Sequence, residues 1–154
     1  MATKQDAVIC DIDGVILDSS QVFKEIEELG LTGDAKWEYF NRHANNGANV
    51  YWDMVDVIKP FIEMGYKIIF LTARCETIKE ETTETVIGAF RGAFFYSHEY
   101  EFVMRPKGVK LPSAEVKEKH LLELKKKYDI LCAFDDDESN CEMFRKHNIL
   151  TFKV

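Results

Sequence analysis

Apolar and polar positions fall into alternating blocks along this chain. Short apolar runs, several of them β-branched, are separated by longer stretches with helical spacing, the pattern of an α/β domain with a parallel sheet. Residues 7–12 form the first strand candidate, and residues 66–71 the second, entered through Gly65 as a helix stop. Residues 93–96 and 102–104 are shorter candidates. Residues 130–134 run straight into acidic positions, and 149–154 close the chain. Between the strands, Asp34 is expected to cap a helix that carries Trp37, Phe40 and Ala44 on one face. Val50, Met54, Ile58 and Ile62 continue at helical spacing, with Pro60 expected to kink or split that helix. Ser113 is expected to cap a further helix with Val116, His120, Leu124 and Tyr128 in register, and 138–147 reads as the last one. No repeat or linker interrupts the pattern, so residues 1–154 are expected to form one domain.

Composition narrows this picture. The 154 residues are 46% apolar and 31% charged, with three prolines, which excludes disordered and collagen-like classes. No apolar run reaches the ~18–20 residues needed to span a bilayer. The N-terminal apolar stretch, cut off by Asp11, is too short for a secretory leader, so a cytoplasmic protein is expected. The four cysteines form no metal-binding spacing. Net charge is −7, which argues against a general nucleic-acid-binding surface. The charge is uneven, however. Residues 1–60 carry 11 acidic and 5 basic side chains, whereas residues 103–127 carry 8 basic and 3 acidic ones. The second stretch reads either as a solvated helix face or as an anion-attracting rim.

Three short motifs follow apolar strands, where an open α/β sheet forms its binding crevice. Asp11-Ile-Asp-Gly14 places two carboxylates at i and i+2 before a glycine, a set able to hold a divalent cation and present a nucleophile. Leu71-Thr-Ala-Arg74 brings a hydroxyl and a guanidinium, both suited to phosphate oxygens. Asp135-Asp-Asp-Glu138 bunches hard oxygen ligands of the kind Mg²⁺ favours. Each motif alone is as well explained by a solvated turn. Lys117, in the first turns of the helix after Ser113, would by default be a surface lysine.

In order and placement together, these motifs resemble the haloacid dehalogenase (HAD) superfamily of aspartyl-phosphate phosphohydrolases, over essentially the whole chain. Phe102-Val-Met-Arg-Pro-Lys-Gly108, Ala114-Glu-Val-Lys117 and Ala133-Phe-Asp-Asp136 look in particular like the 3′-phosphatase domain of phage polynucleotide kinase/3′-phosphatase, without that enzyme's Gly-rich kinase loop. The resemblance implies a Rossmann-like HAD fold, a central parallel sheet flanked by helices, with at most a small helical cap insert at about residues 18–52. It implies Asp11 as nucleophile and Asp13 as acid and base. Thr72 and Lys117 would hold the phosphoryl oxygens. Mg²⁺ would be held by Asp11, the carbonyl of Asp13, Asp135 and Asp136. Arg74, Arg105 and Lys107 would grip the substrate. The implied substrate is a 3′-phosphorylated nucleic-acid end or nucleotide. A small-molecule phosphatase on mononucleotides or sugar phosphates is the alternative, and a phospho-accepting receiver domain a remote one. Of the aromatics Trp37, Tyr39, Phe40, Tyr51 and Trp52, which could stack on a base, at least three are expected inside the insert's core. Oligomeric state is not legible.

Overall fold

The computed structural model describes residues 2–154. Among them the chain forms, in order, β1 (Gln5–Cys10), β2 (Leu17–Asp18), α1 (Ser20–Glu28), α2 (Gly33–His43), β3 (Asn49–Val50), α3 (Trp52–Glu63), β4 (Lys67–Cys75), α4 (Lys79–Ala89), β5 (Tyr100–Arg105), α5 (Ser113–Lys127), β6 (Tyr128–Asp135), α6 (Glu138–Lys146) and β7 (Leu150–Lys153). Five strands make one sheet in the order β5-β4-β1-β6-β7, and every pairing in it is parallel.

β1 is central because nothing along Ala7–Cys10 needs water: all four residues are buried. Their alternation feeds two separate cores. Val8 and Cys10 pack with Val55, Ile58 and Ile62 of α3 and Val86 and Ala89 of α4. Ala7 and Ile9 pack with Leu121 and Leu124 of α5 and Met143 and Phe144 of α6. The result is a sheet covered by helices on both faces, as continuous apolar strands require. From β1 the chain builds outward through β4 and β5, then returns to add β6 and β7 on the other side. This reversal leaves a crevice at the carboxyl end of β1.

Two irregularities re-aim residues there. The β4–β5 register shifts between Leu71 and Cys75, so Thr72, Ala73 and Arg74 leave the ladder. Such a bulge turns side chains that a regular strand would send to opposite faces. The β1–β6 register also shifts, pairing Ala7 with Ile130 and Val8 with Cys132, which leaves Leu131 unpaired and exposed.

The insert stands on a two-strand stem, with Leu17 opposite Val50 and Asp18 opposite Asn49. It has a small core of its own, Ile26, Phe40 and Ala44, with Val22, Leu31 and Tyr39 against it. Only Phe40 and Tyr39 of the five aromatics contribute to that core. Trp37, Tyr51 and Trp52 are exposed, fewer enclosed rings than expected.

Several local expectations are corrected. Residues 93–96 form no strand; Phe94 instead fits between the rings of Phe90 and Tyr100, at 5.1 and 5.2 Å. Thr32, not Asp34, is the N-cap of α2, and Asp34 lies in the first turn and pairs with Lys110. Val50 belongs to β3, and α3 runs through Pro60 without splitting. Pro60 is on the exposed side, where the carbonyl it leaves unbonded can meet water. Pro112, not Ser113, precedes α5, and Tyr128 already begins β6. Helices α1 and α4 and the β2–β3 stem were not legible.

Candidate active site

β1 delivers Asp11 to the crevice, and a tight turn fixes the residues after it. The N–H groups of Val15, Ile16 and Leu17 all donate to the Ile12 carbonyl, at 3.2, 2.9 and 3.0 Å. Ile12, Val15, Ile16 and Leu17 are fully buried, so apolar packing anchors the turn. Gly14 has φ +80°, and a Cβ there would collide with Asp136 Oδ2. Glycine is therefore needed for conformation and for space at once.

Asp11 is 6% exposed; its Oδ1 accepts from Ile12 N–H at 2.8 Å and faces Lys117 Nζ at 3.1 Å. Lys117, brought down by the start of α5, is 1% exposed and reaches Asp135 Oδ2 at 2.6 Å. Lys117 is thus a buried cation between two buried carboxylates. Asp135 is further held by Asp137 N–H at 3.0 Å and by the Asn140 amide at 3.1 Å. Asp136 completes the group: one oxygen each from Asp11, Asp135 and Asp136 lies within 4.8 Å of the others.

Burial pushes the Asp11 carboxyl well above the usual carboxylate range, with Asp135 and Asp13 adding to the rise and Lys117 opposing it. Partial burial, then the charge of Asp135, also raises Asp136. Desolvation would lower Lys117, but the charges of Asp11 and Asp135 override it and raise its pKa. Three crowded carboxylates against one ammonium leave negative charge uncompensated. The donor set is all hard oxygen, so these residues fit a small divalent cation such as Mg²⁺.

Asp13 points elsewhere. Arg74, 2% exposed, grips it with two parallel bonds, Nε to Oδ2 at 2.9 Å and Nη2 to Oδ1 at 2.8 Å. Ser19 Oγ also donates to Oδ1. Arg74, expected to grip substrate, here has its fork filled by the Asp13 carboxylate. Thr72 is 1% exposed and stands two residues beyond Phe70, the partner of Cys10, which puts it beside the Asp11 turn. Its Oγ1 accepts from Arg74 N–H at 3.1 Å.

Arg105 commits two of its nitrogens inside the protein: Nε donates to the Ala73 carbonyl at 3.0 Å and Nη1 to those of Val109 and Leu111, at 3.2 and 2.5 Å, so it ties the loop after β5 to β4. Lys107 is exposed; its backbone N–H meets Glu76 at 2.9 Å, and nothing ties its side chain to the carboxylate cluster. The basic stretch 103–127 is not one rim. Lys117 is buried, Lys110 is paired with Asp34, and Lys125–Lys127 end α5 where β6 begins, at the opposite end of the strands from the crevice.

Sequence reasoning missed Ser19, Asn45, Thr82 and Asn140. Asn140 had a signal, since Asp137 three residues before it caps α6 and accepts its N–H at 3.2 Å. Asn45 and Thr82 meet Arg74 only because the insert folds back on α4, which no local pattern encodes.

A family profile described as the polynucleotide kinase PNKP phosphatase domain matches residues 5–154. Among curated proteins the sequence has no significant match. Among solved structures, a chain of the Pnkp1/Rnl/Hen1 RNA repair complex is similar with TM-score 0.75 and 22% identity over 98% of this chain. This chain spans 42% of that one's length. A haloacid dehalogenase-like hydrolase from Streptococcus pneumoniae is similar with TM-score 0.67 and 12% identity, covering 97% of this chain and 84% of its own. A class C acid phosphatase from Bacillus anthracis is similar with TM-score 0.66 and 20% identity, covering 90% and 54%. These likenesses are likenesses of fold, and the fold is that of HAD phosphatases.

Proposed function

The chain belongs to the polynucleotide kinase PNKP phosphatase-domain family, and from that membership we propose that it removes 3′-phosphates from nucleic-acid ends through a covalent intermediate on Asp11. The observation that carries this reading is Lys117, buried between Asp11 and Asp135. A fully buried ammonium against two carboxylates is costly unless the charges are used.

In this reading an Asp11 carboxylate oxygen attacks phosphorus, and the bond from phosphorus to the 3′ oxygen breaks. Asp13, which enters the cycle protonated on Oδ2 beside its one bond from Arg74, gives that oxygen its proton. Asp13 then takes a proton from water, whose oxygen displaces phosphate and restores Asp11. Ile12 N–H and Lys117 fix the plane of the Asp11 carboxylate before attack. Lys117 and Thr72 stabilise charge on the transferring group. Asp11, the Asp13 carbonyl, Asp135 and Asp136 would hold Mg²⁺, which when bound offsets the repulsion between carboxylate and phosphate. Asn140 and Asp137 N–H orient Asp135 for that task.

The family match, and exposed Trp37, Tyr51 and Trp52 around a small insert, support a nucleic-acid end as substrate. The scarcity of uncommitted cations near the site favours the second reading, a small phosphate ester. Turnover of a 3′-phosphorylated oligonucleotide, a 3′-mononucleotide and a 5′-mononucleotide, with Mg²⁺ or a chelator, separates the two. The proposal expects the oligonucleotide to be the best substrate and the chelator to abolish activity. Equal turnover of the two mononucleotides, both above the oligonucleotide, would transfer the site to the second reading.

A further inference from the structure

We propose that Asn45 and Thr82 are positioning residues that lock the guanidinium of Arg74, and through it set the carboxylate of Asp13. This rests on the reading of Asp13 as the group that exchanges protons with the leaving oxygen. Nε and Nη2 of Arg74 are spent on Asp13. Its remaining nitrogen, Nη1, donates to Asn45 Oδ1 at 2.7 Å and Thr82 Oγ1 at 3.2 Å. The Asn45 amide in turn donates to Thr82 Oγ1 at 3.2 Å, which closes a triangle of hydrogen bonds. The Phe40 ring lies 5.6 Å from the guanidinium carbon and covers its face. A planar fork held at all three nitrogens and against a ring has no freedom to rotate, and so neither has the carboxylate it grips.

The holding groups come from two parts of the chain, Phe40 and Asn45 from the insert and Thr82 from α4. Asn45 follows α2 in the insert, behind the Ala44 N–H bond to Phe40 O at 2.8 Å. Thr82 is fully buried on α4 of the main body. The seam between insert and core therefore runs through Arg74. Seating the insert and aligning Asp13 are the same event.

Removing Nη1's acceptors should misplace Asp13, which matters where the leaving group needs its proton and hardly where it does not. Asn45 also lines an open cleft of about 390 Å³, so water can replace its amide and the variant should fold. The test is kcat and KM of Asn45→Ala, Thr82→Val and Thr82→Ser on an alkyl and an aryl phosphate. The expected result is a kcat loss of about tenfold or more on the alkyl ester for Asn45→Ala and Thr82→Val. The aryl ester should stay within about twofold and KM should be unchanged, while Thr82→Ser, which keeps the hydroxyl, restores the alkyl rate. In the Asp13→Asn background neither substitution should reduce the alkyl rate further. Equal losses on both esters, or no alkyl loss, would overturn the proposal while leaving Asp13's role standing. If Asp13→Asn itself slows both esters equally, the underlying reading fails and the proposal falls with it.

Discussion

Lys117 is the residue whose environment departs most from what its type suggests. An ammonium removed from water is stable there only because Asp11 and Asp135 face it. Lys117→Met should leave those two carboxylates buried and repelling. A rate loss of about 10²–10³ is expected, with a stability loss of about 3–5 kcal/mol by denaturant titration. Lys119→Ala, two residues along and exposed, should cost under about 0.5 kcal/mol and leave kinetics alone. The reverse pattern would transfer the role proposed for Lys117 to Lys119. Gly14→Ala tests the turn in the same way: its methyl forces Asp136 out of the cluster, so the half-saturating Mg²⁺ concentration should rise about tenfold or more. An unchanged value would mean Asp136 takes no part in holding the cation. At this scale the sequence was informative where a polar residue followed an apolar strand, as at Asp11, Thr72 and Asp135. It did not show what Arg74 and Arg105 bind inside the protein, because a guanidinium's donors can be satisfied there as readily as by a substrate. Tertiary neighbours decide those partners: Asp13 for Arg74, and for Arg105 the carbonyls of Ala73 in β4 and of Val109 and Leu111 in the loop after β5.

Among the elements, the insert and the sheet differ in what stabilises them. The sheet is covered on both faces by two extended clusters, whereas the insert's own buried core is Ile26, Phe40 and Ala44. Local opening should therefore free the amides of α1 and α2 long before those of β1, β4 and β6. Native-state hydrogen exchange read by mass spectrometry checks this, and equal protection of insert and sheet would show that they open as one unit. The same contrast explains what could be read in advance. β1, β4 and β6 were legible because the buried parts of parallel strands are apolar without interruption, and β7, an exposed edge strand, because Leu150 and Phe152 are apolar. α4 was not, because its buried positions include Thr82 among glutamates and threonines, and its two faces differ little. The two-residue strands of the stem are too short for any period. Residues 93–96 look like a strand because Phe94 is a core residue, yet a ring can be buried from a loop.

The whole molecule joins an acidic N-terminal part to basic segments that the fold disperses. What looked like one positive stretch becomes one buried lysine, one exposed pair between Lys110 and Asp34, the separate side chains of Arg105, Lys107 and Lys119, and a distant helix end. The buried ammonium of Lys117 is spent on Asp11 and Asp135, and the other basic side chains are scattered rather than gathered into a surface that would attract nucleic acid from afar. Association with an oligonucleotide should accordingly depend weakly on salt, since few phosphates are neutralised. A steep fall in kcat/KM between 50 and 200 mM salt would point to a basic track that the fold does not display. Among the described residues no helix is long and apolar enough to cross a membrane. The parallel sheet, its reversal at β1 and the two carboxylate-bearing strand ends converge on one atom group, the Asp11 carboxylate. The most direct test is phosphate release from a 3′-phosphorylated oligonucleotide in Mg²⁺ by the wild type and by Asp11→Asn. The amide is nearly isosteric and should leave the fold intact, so the account predicts turnover by the wild type and a loss of more than about 10³-fold in the variant. A folded Asp11→Asn protein within tenfold of wild type would contradict it.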